Sequence, residues 1–213
     1  MATSDQAGGK RQVILDAATM VFSEKGFVGT NLDEVVAAAA VSKQTLYKHF
    51  TDKASLFREI VLELGNQVDG QFLDLPEPDA IEDMEDWIQT LALRFSRSVM
   101  DPKVQRIRRL VIAEAPRFPD LATAYWERGF HRVIATVAEH FRGLAEAGKL
   151  QAPDPLTAAQ HFAGLLLWIP SNRTMFGGRP DVVTGDELED YACAGAGAFL
   201  RAYRARDAAV DPR

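Results

Sequence analysis

The chain has 213 residues, 47% apolar and 25% charged, enough for a globular core, and no apolar run approaches the roughly 18 residues that a membrane span needs. The formal net charge of −6 argues against simple nucleic-acid coating, yet residues 1–60 carry seven Lys/Arg against seven Asp/Glu, so the whole deficit lies further on. The single cysteine, Cys193, excludes an internal disulfide, and no apolar stretch follows the N-terminal charges as a secretory signal would require; the expected location is cytoplasmic.

Residues 1–9 are small and polar without periodicity, which predicts a disordered arm ending at Lys10 and Arg11. A first helix follows, because Val13, Ile14, Ala17, Ala18, Val21 and Phe22 recur at steps of three and four, and Gly26 supplies its stop. Asn31 stands three residues before Glu34, as in a capping box, and opens a second helix over 32–39. Ser42 caps a third over 43–50, and Asp52 caps a fourth whose apolar face is Leu56, Phe57, Ile60, Val61 and Leu64. The break at Leu75-Pro-Glu-Pro-Asp79 precedes long helices over 81–100, 102–114, 119–147, 155–169 and 186–206. No window alternates with period two, so the expected class is all-α with about nine helices.

The third helix has little to bury. Leu46 and Phe50 share a face four residues apart, whereas Lys43, Gln44, Tyr47 and Lys48 form one contiguous polar face with Thr45 and His49 on its flanks. A short helix braced by another across a tight turn fits the major groove, and lysines, amides and hydroxyls are the groups that contact base edges and phosphates. This is a helix-turn-helix pattern.

Residues 27–53, running from Phe27 through Thr30, Val41-Ser42, Leu46-Tyr47 and His49-Phe50 to Lys53, resemble the DNA-binding signature of the tetracycline-repressor (TetR) family. The segment Leu110-Val-Ile-Ala-Glu-Ala-Pro-Arg-Phe-Pro119 further resembles a subgroup with an efflux-regulator (AefR-like) C-terminal domain. The resemblance implies a helix-turn-helix domain over residues 10–55, a fourth helix reaching about residue 72 as connector, and a ligand-binding and dimerisation domain over 73–213. It implies base contacts from Lys43, Gln44 and Thr45, and phosphate contacts from Thr30, Ser42, Tyr47, Lys48, His49 and Lys53, with Lys10 and Arg11 reaching the DNA from the arm. One position departs from the family pattern, because Ala40 stands in the turn where glycine is usual.

Such proteins read a palindromic operator on double-stranded DNA as homodimers. The small-residue run Ala192-Cys-Ala-Gly-Ala-Gly-Ala198 suggests that helices eight and nine form the dimer surface, the alternative being a helix buried inside the monomer. The family also implies a pocket for a small, mostly apolar effector, for which Trp87, Phe95, Glu114, Trp126, Phe130, Trp168, Asn172 and Phe176 are the candidate lining, with Arg94, Phe118 and Phe162 beside them. The expected function is a ligand-responsive transcriptional repressor without cofactor or metal. The alternative is a helical ligand-binding or metal protein that does not bind DNA, for which Glu127 and His131, four apart, are the best donor pair; an ordinary ion pair on a solvated face is the favoured reading of that spacing. No hydrolase, zinc-protease or P-loop motif suggests an enzyme.

Overall fold

A computed structural model describes residues 3–67, 83–177 and 182–205, with side chains for all of these except 3–8 and 64–67. The described residues form nine helices: α1 Thr3–Gly29, α2 Leu32–Ala38, α3 Lys43–His49, α4 Lys53–Gln67, α5 Met84–Val99, α6 Pro102–Glu114, α7 over 119–146, α8 Pro155–Phe176 and α9 Gly185–Tyr203. Within α7 the stretch Trp126–His131 is π-helical. The only β pairing described is an isolated bridge between Leu150 and Arg204. The all-α expectation is met.

Three of the boundaries that differ from the sequence reading have a local cause. The backbone is helical from Thr3, where an arm is expected, because each residue added to an existing helix gains a hydrogen bond. Pro170 does not end α8, which runs on to Phe176; proline removes one N–H, and the flanking packing of Leu166, Leu167 and Thr174 carries the helix across. At the other end α5 starts at Met84, with the Asp83 carboxylate accepting from the Glu85 and Asp86 N–H groups at 2.8 and 3.2 Å. The expected connector beyond 67 and the break at 75–79 lie outside the described residues.

The chain divides into two compact units, residues 1–67 with 103–129, and 68–102 with 130–213. Helices α6 and the first part of α7 therefore belong with the N-terminal helices, although the sequence reading groups them with the C-terminal segment.

In the first unit Phe22, Phe27, Phe57 and Phe118 form an aromatic knot, with Phe27 lying 4.8 Å from Phe118 edge-on and 5.4 Å from Phe57. Lys53 Nζ and the Arg117 guanidinium each sit 4.8 Å from the Phe27 ring centroid, so this ring is held by cations as well as by burial. Gly26 permits the sharp exit of α1, with φ 68° and ψ 176°, a region open essentially to glycine alone.

The second unit is centred on Phe95, Phe141, Phe162 and Phe199, all fully buried. Phe141 stacks on Phe199 at 4.8 Å, and Phe199 on Tyr203 at 4.7 Å. Ala192, Gly195 and Ala196 of α9 are buried in this unit. A Cβ on Gly195 would stand 2.6 Å from Leu166 Cδ2 and 3.2 Å from the Leu165 carbonyl, so the small-residue run serves first to seat α9 on α8 of the same chain.

Candidate nucleic-acid interface

The turn between α2 and α3 is a Schellman motif. The Ala40 N–H donates to the Ala37 carbonyl and the Val41 N–H to the Val36 carbonyl, both at 3.2 Å, and Val36 and Val41 both pack on the same core. This geometry needs a left-handed residue after the helix, and Ala40 supplies it with φ 50°. The alanine therefore holds this turn at a cost of about 1 kcal/mol relative to glycine.

Each short helix is capped. Asn31 Oδ1 accepts from the Asp33 N–H at 3.0 Å, and Ser42 Oγ accepts from the Thr45 N–H at 3.1 Å. Leu46 and Phe50 are buried and fix the rotation of α3. That rotation leaves Lys43, Gln44, Tyr47 and Lys48 exposed, with Thr45 and His49 half-buried beside them. Tyr47 is 55% exposed, a large apolar ring kept in solvent. Lys48 makes no ion pair among the described residues. The hydroxyls of Ser42 and Thr45 are 2.8 Å apart, so this pair presents itself outward as one hydrogen-bonding unit.

Several expected contacts are engaged internally. Thr30 is 4% exposed and its hydroxyl donates to the Gly26 carbonyl at 2.7 Å, which removes its side chain from the outward set. Arg11 pairs with Glu59 and, at 3.2 Å, with Glu63, both on α4, and stands over the Phe50 ring, so it braces α1 on α4 and does not reach outward. Lys53 donates to the Thr30 and Val28 carbonyls at 2.8 and 3.3 Å; an ammonium has three donors, which leaves one for a phosphate.

Two ion pairs escaped sequence reasoning. Lys25 meets Glu34 at 2.6 Å, and this hydrogen bond holds the Glu34 carboxyl below its ordinary pKa. Lys43 meets Asp33 at 2.8 Å, and the hydrogen bond to that carboxylate raises the lysine above its ordinary pKa. Both join residues nine or ten apart across a turn, a spacing without a helical or strand signature.

The expected effector lining is divided between the two units and, within the second, between core and surface. Trp87 and Phe95 are buried in the core of the second unit, with Phe130 partly buried against it. Glu114 belongs to the first unit, where its carboxylate accepts from the Phe27 N–H at 3.3 Å. Trp126 is half-exposed, and Trp168 and Phe176 are 70% and 88% exposed. Asn172 donates to the Trp168 carbonyl of its own helix at 2.7 Å. Thus Trp168 and Phe176, with Leu165 and Ile169, form an outward apolar stripe on α8. Helical periodicity marks an apolar face without saying which neighbour covers it. Among the described residues no group of three His, Cys, Asp or Glu side chains gathers as a metal site.

Comparison with known proteins converges on one group. Residues 14–60 match the family "Bacterial regulatory proteins, tetR family", and residues 86–205 match "AefR-like transcriptional repressor, C-terminal domain". A protein described as a TetR-family transcriptional regulator from Mesorhizobium loti is similar in structure with a TM-score of 0.81 at 40% identity, covering 93% of this chain and 98% of that one. The flavonoid-responsive regulator FrrA gives 0.70 at 28% identity, covering 94% and 100%. The HTH-type transcriptional regulator AcrR of Shigella flexneri is 45% identical over 58 residues, a match that spans only 27% of this chain and 27% of AcrR.

Proposed function

This chain belongs to the TetR family of DNA-binding transcriptional regulators, and we propose that it acts as a homodimeric repressor released from a palindromic operator by a small, mostly apolar molecule. The observation that carries the proposal is the outward face of α3, where Lys43, Gln44, Tyr47 and Lys48 project together while Leu46 and Phe50 anchor the helix from behind. A seven-residue helix with one buried leucine has no use for such a face within the fold. In this reading Lys43, Gln44 and Thr45 reach base edges, and Ser42, Tyr47, Lys48, His49 and the third donor of Lys53 hold phosphates. The family match also sets aside the alternative of a helical protein that does not bind DNA.

One α3 helix makes too little contact to specify a site, so a second copy is needed, with half-sites about one helical turn apart. The stripe of Leu165, Trp168, Ile169 and Phe176 supports dimerisation through α8, with α9 beside it. Monomeric proteins rarely expose such a patch without a partner. An aromatic-rich core between helices suits an apolar effector, and the name of the flavonoid-responsive relative FrrA points the same way. In this reading ligand occupancy changes the separation of the two α3 helices.

The division of contacts is tested by substitution. Tyr47→Ala with Lys48→Ala weakens binding to every duplex and flattens the slope of log affinity against log salt by about 0.9 for the lysine. Gln44→Ala instead changes which sequence is preferred, by about 1–3 kcal/mol at one base position. Identical behaviour of the two variants contradicts the assignment.

A further inference from the structure

The Asp33–Lys43 pair places a negative charge on the surface that must approach DNA. The carboxylate and the ammonium are 2.8 Å apart, with side chains 55% and 63% exposed, so water reaches both and the pair opens at little cost. Neither residue needs the other to fold its own helix. Asp33 suits the first turn of α2, where the dipole favours an anion, but Glu34 is also in that turn. Lys43 is the first residue of α3, where the same dipole disfavours a cation. The pair thus joins the starts of the two short helices and cancels the charge of a residue assigned to reading bases.

We infer that Asp33 is a specificity-determining residue that acts through Lys43, withholding its ammonium from single phosphates and releasing it only to a base edge. This rests on the DNA-binding reading above. A phosphate contact made by Lys43 carries Asp33 towards the backbone, where its repulsion offsets the attraction. In the groove a guanine offers two acceptors, O6 and N7, to a lysine. A non-specific complex therefore exchanges the Asp33–Lys43 pair for a phosphate contact that the nearby carboxylate weakens, whereas the specific complex exchanges it for a base-edge contact free of that repulsion.

The test uses the full chain and random-sequence duplex, with binding measured over a range of salt concentrations and helicity checked by circular dichroism. Asp33→Asn tightens non-specific binding several-fold and steepens the salt slope by about 0.9, the signature of one more phosphate neutralised. In a Lys43→Gln background the same substitution leaves the slope where it was, and Asp33→Glu in the wild-type background keeps the wild-type slope. An unchanged slope in Asp33→Asn overturns the inference. So does an equal shift in both backgrounds, which makes Asp33 a plain repulsive charge. If the wild-type chain binds no duplex at any salt concentration, the DNA reading falls and this inference with it; if it binds and the slope does not move, only the inference falls.

Discussion

Ala40 shows how much a single residue can settle. Its position in a turn between two capped helices is legible in the sequence, and so is the cost of a β-carbon at positive φ, here 50°. Ala40→Gly is therefore expected to stabilise the protein by about 1 kcal/mol in urea unfolding while leaving duplex affinity unchanged. A loss of stability means that the alanine packs in a way that backbone strain does not capture. Tyr125 carries a second prediction. Burial pushes its phenol up to about 12 from an ordinary 10.0, against an opposing pull from Arg108. Its folded-state pKa is raised, so its contribution is complete below pH 10 and is lost as pH rises towards 12. Stability measured between these pH values falls more steeply in the wild type than in Tyr125→Phe. Other residues were not legible. Thr30 and Arg11 have the right chemistry at the family's spacing, but bonds to Gly26, Glu59 and Glu63 turn them inward, and long-range partners leave no local pattern.

Among the elements, the caps Asn31 and Ser42 and the anchors Leu46 and Phe50 were readable because each obeys a short-range rule. Leu46→Ala should cost about 2–5 kcal/mol, since this fully buried side chain is what holds α3 against its neighbours. Binding to duplex should fall with it under conditions where the unit still folds. The small-residue run of α9 was legible as a close-packing element, yet the partner was not. Gly195 meets α8 of its own chain, so Gly195→Val is expected to destabilise the second unit by about 1–3 kcal/mol through the clash with Leu166 and the Leu165 carbonyl. Thermal unfolding checks this, and a neutral result shows that α9 can shift to make room. Pro170 misled the reading of α8 because its rule concerns the isolated helix, whereas tertiary packing decides whether the chain continues.

For the whole molecule, the all-helical class and the helix-turn-helix followed from periodicity and one specific signature, whereas the grouping of α6 with the N-terminal helices did not. Contacts between elements far apart in sequence decide that grouping, as with Phe118 packed against Phe27 and Phe57. The same limit applies to Trp168 and Phe176, whose apolar character is legible in the sequence although their outward position on α8 is not. If that stripe joins two copies, Trp168→Glu sediments as a monomer and retains only weak, salt-sensitive binding to DNA; a wild-type chain that is already monomeric at micromolar concentration removes α8 from this role. The central claim is that two copies of this chain read a palindrome with α3. The measurement that tests it most directly is selection of bound duplexes from a random pool, at two salt concentrations, followed by sequencing. The expected result is an enriched palindrome, with half-sites about one helical turn apart, that survives at the higher salt. Binding that vanishes with salt and enriches no sequence contradicts it.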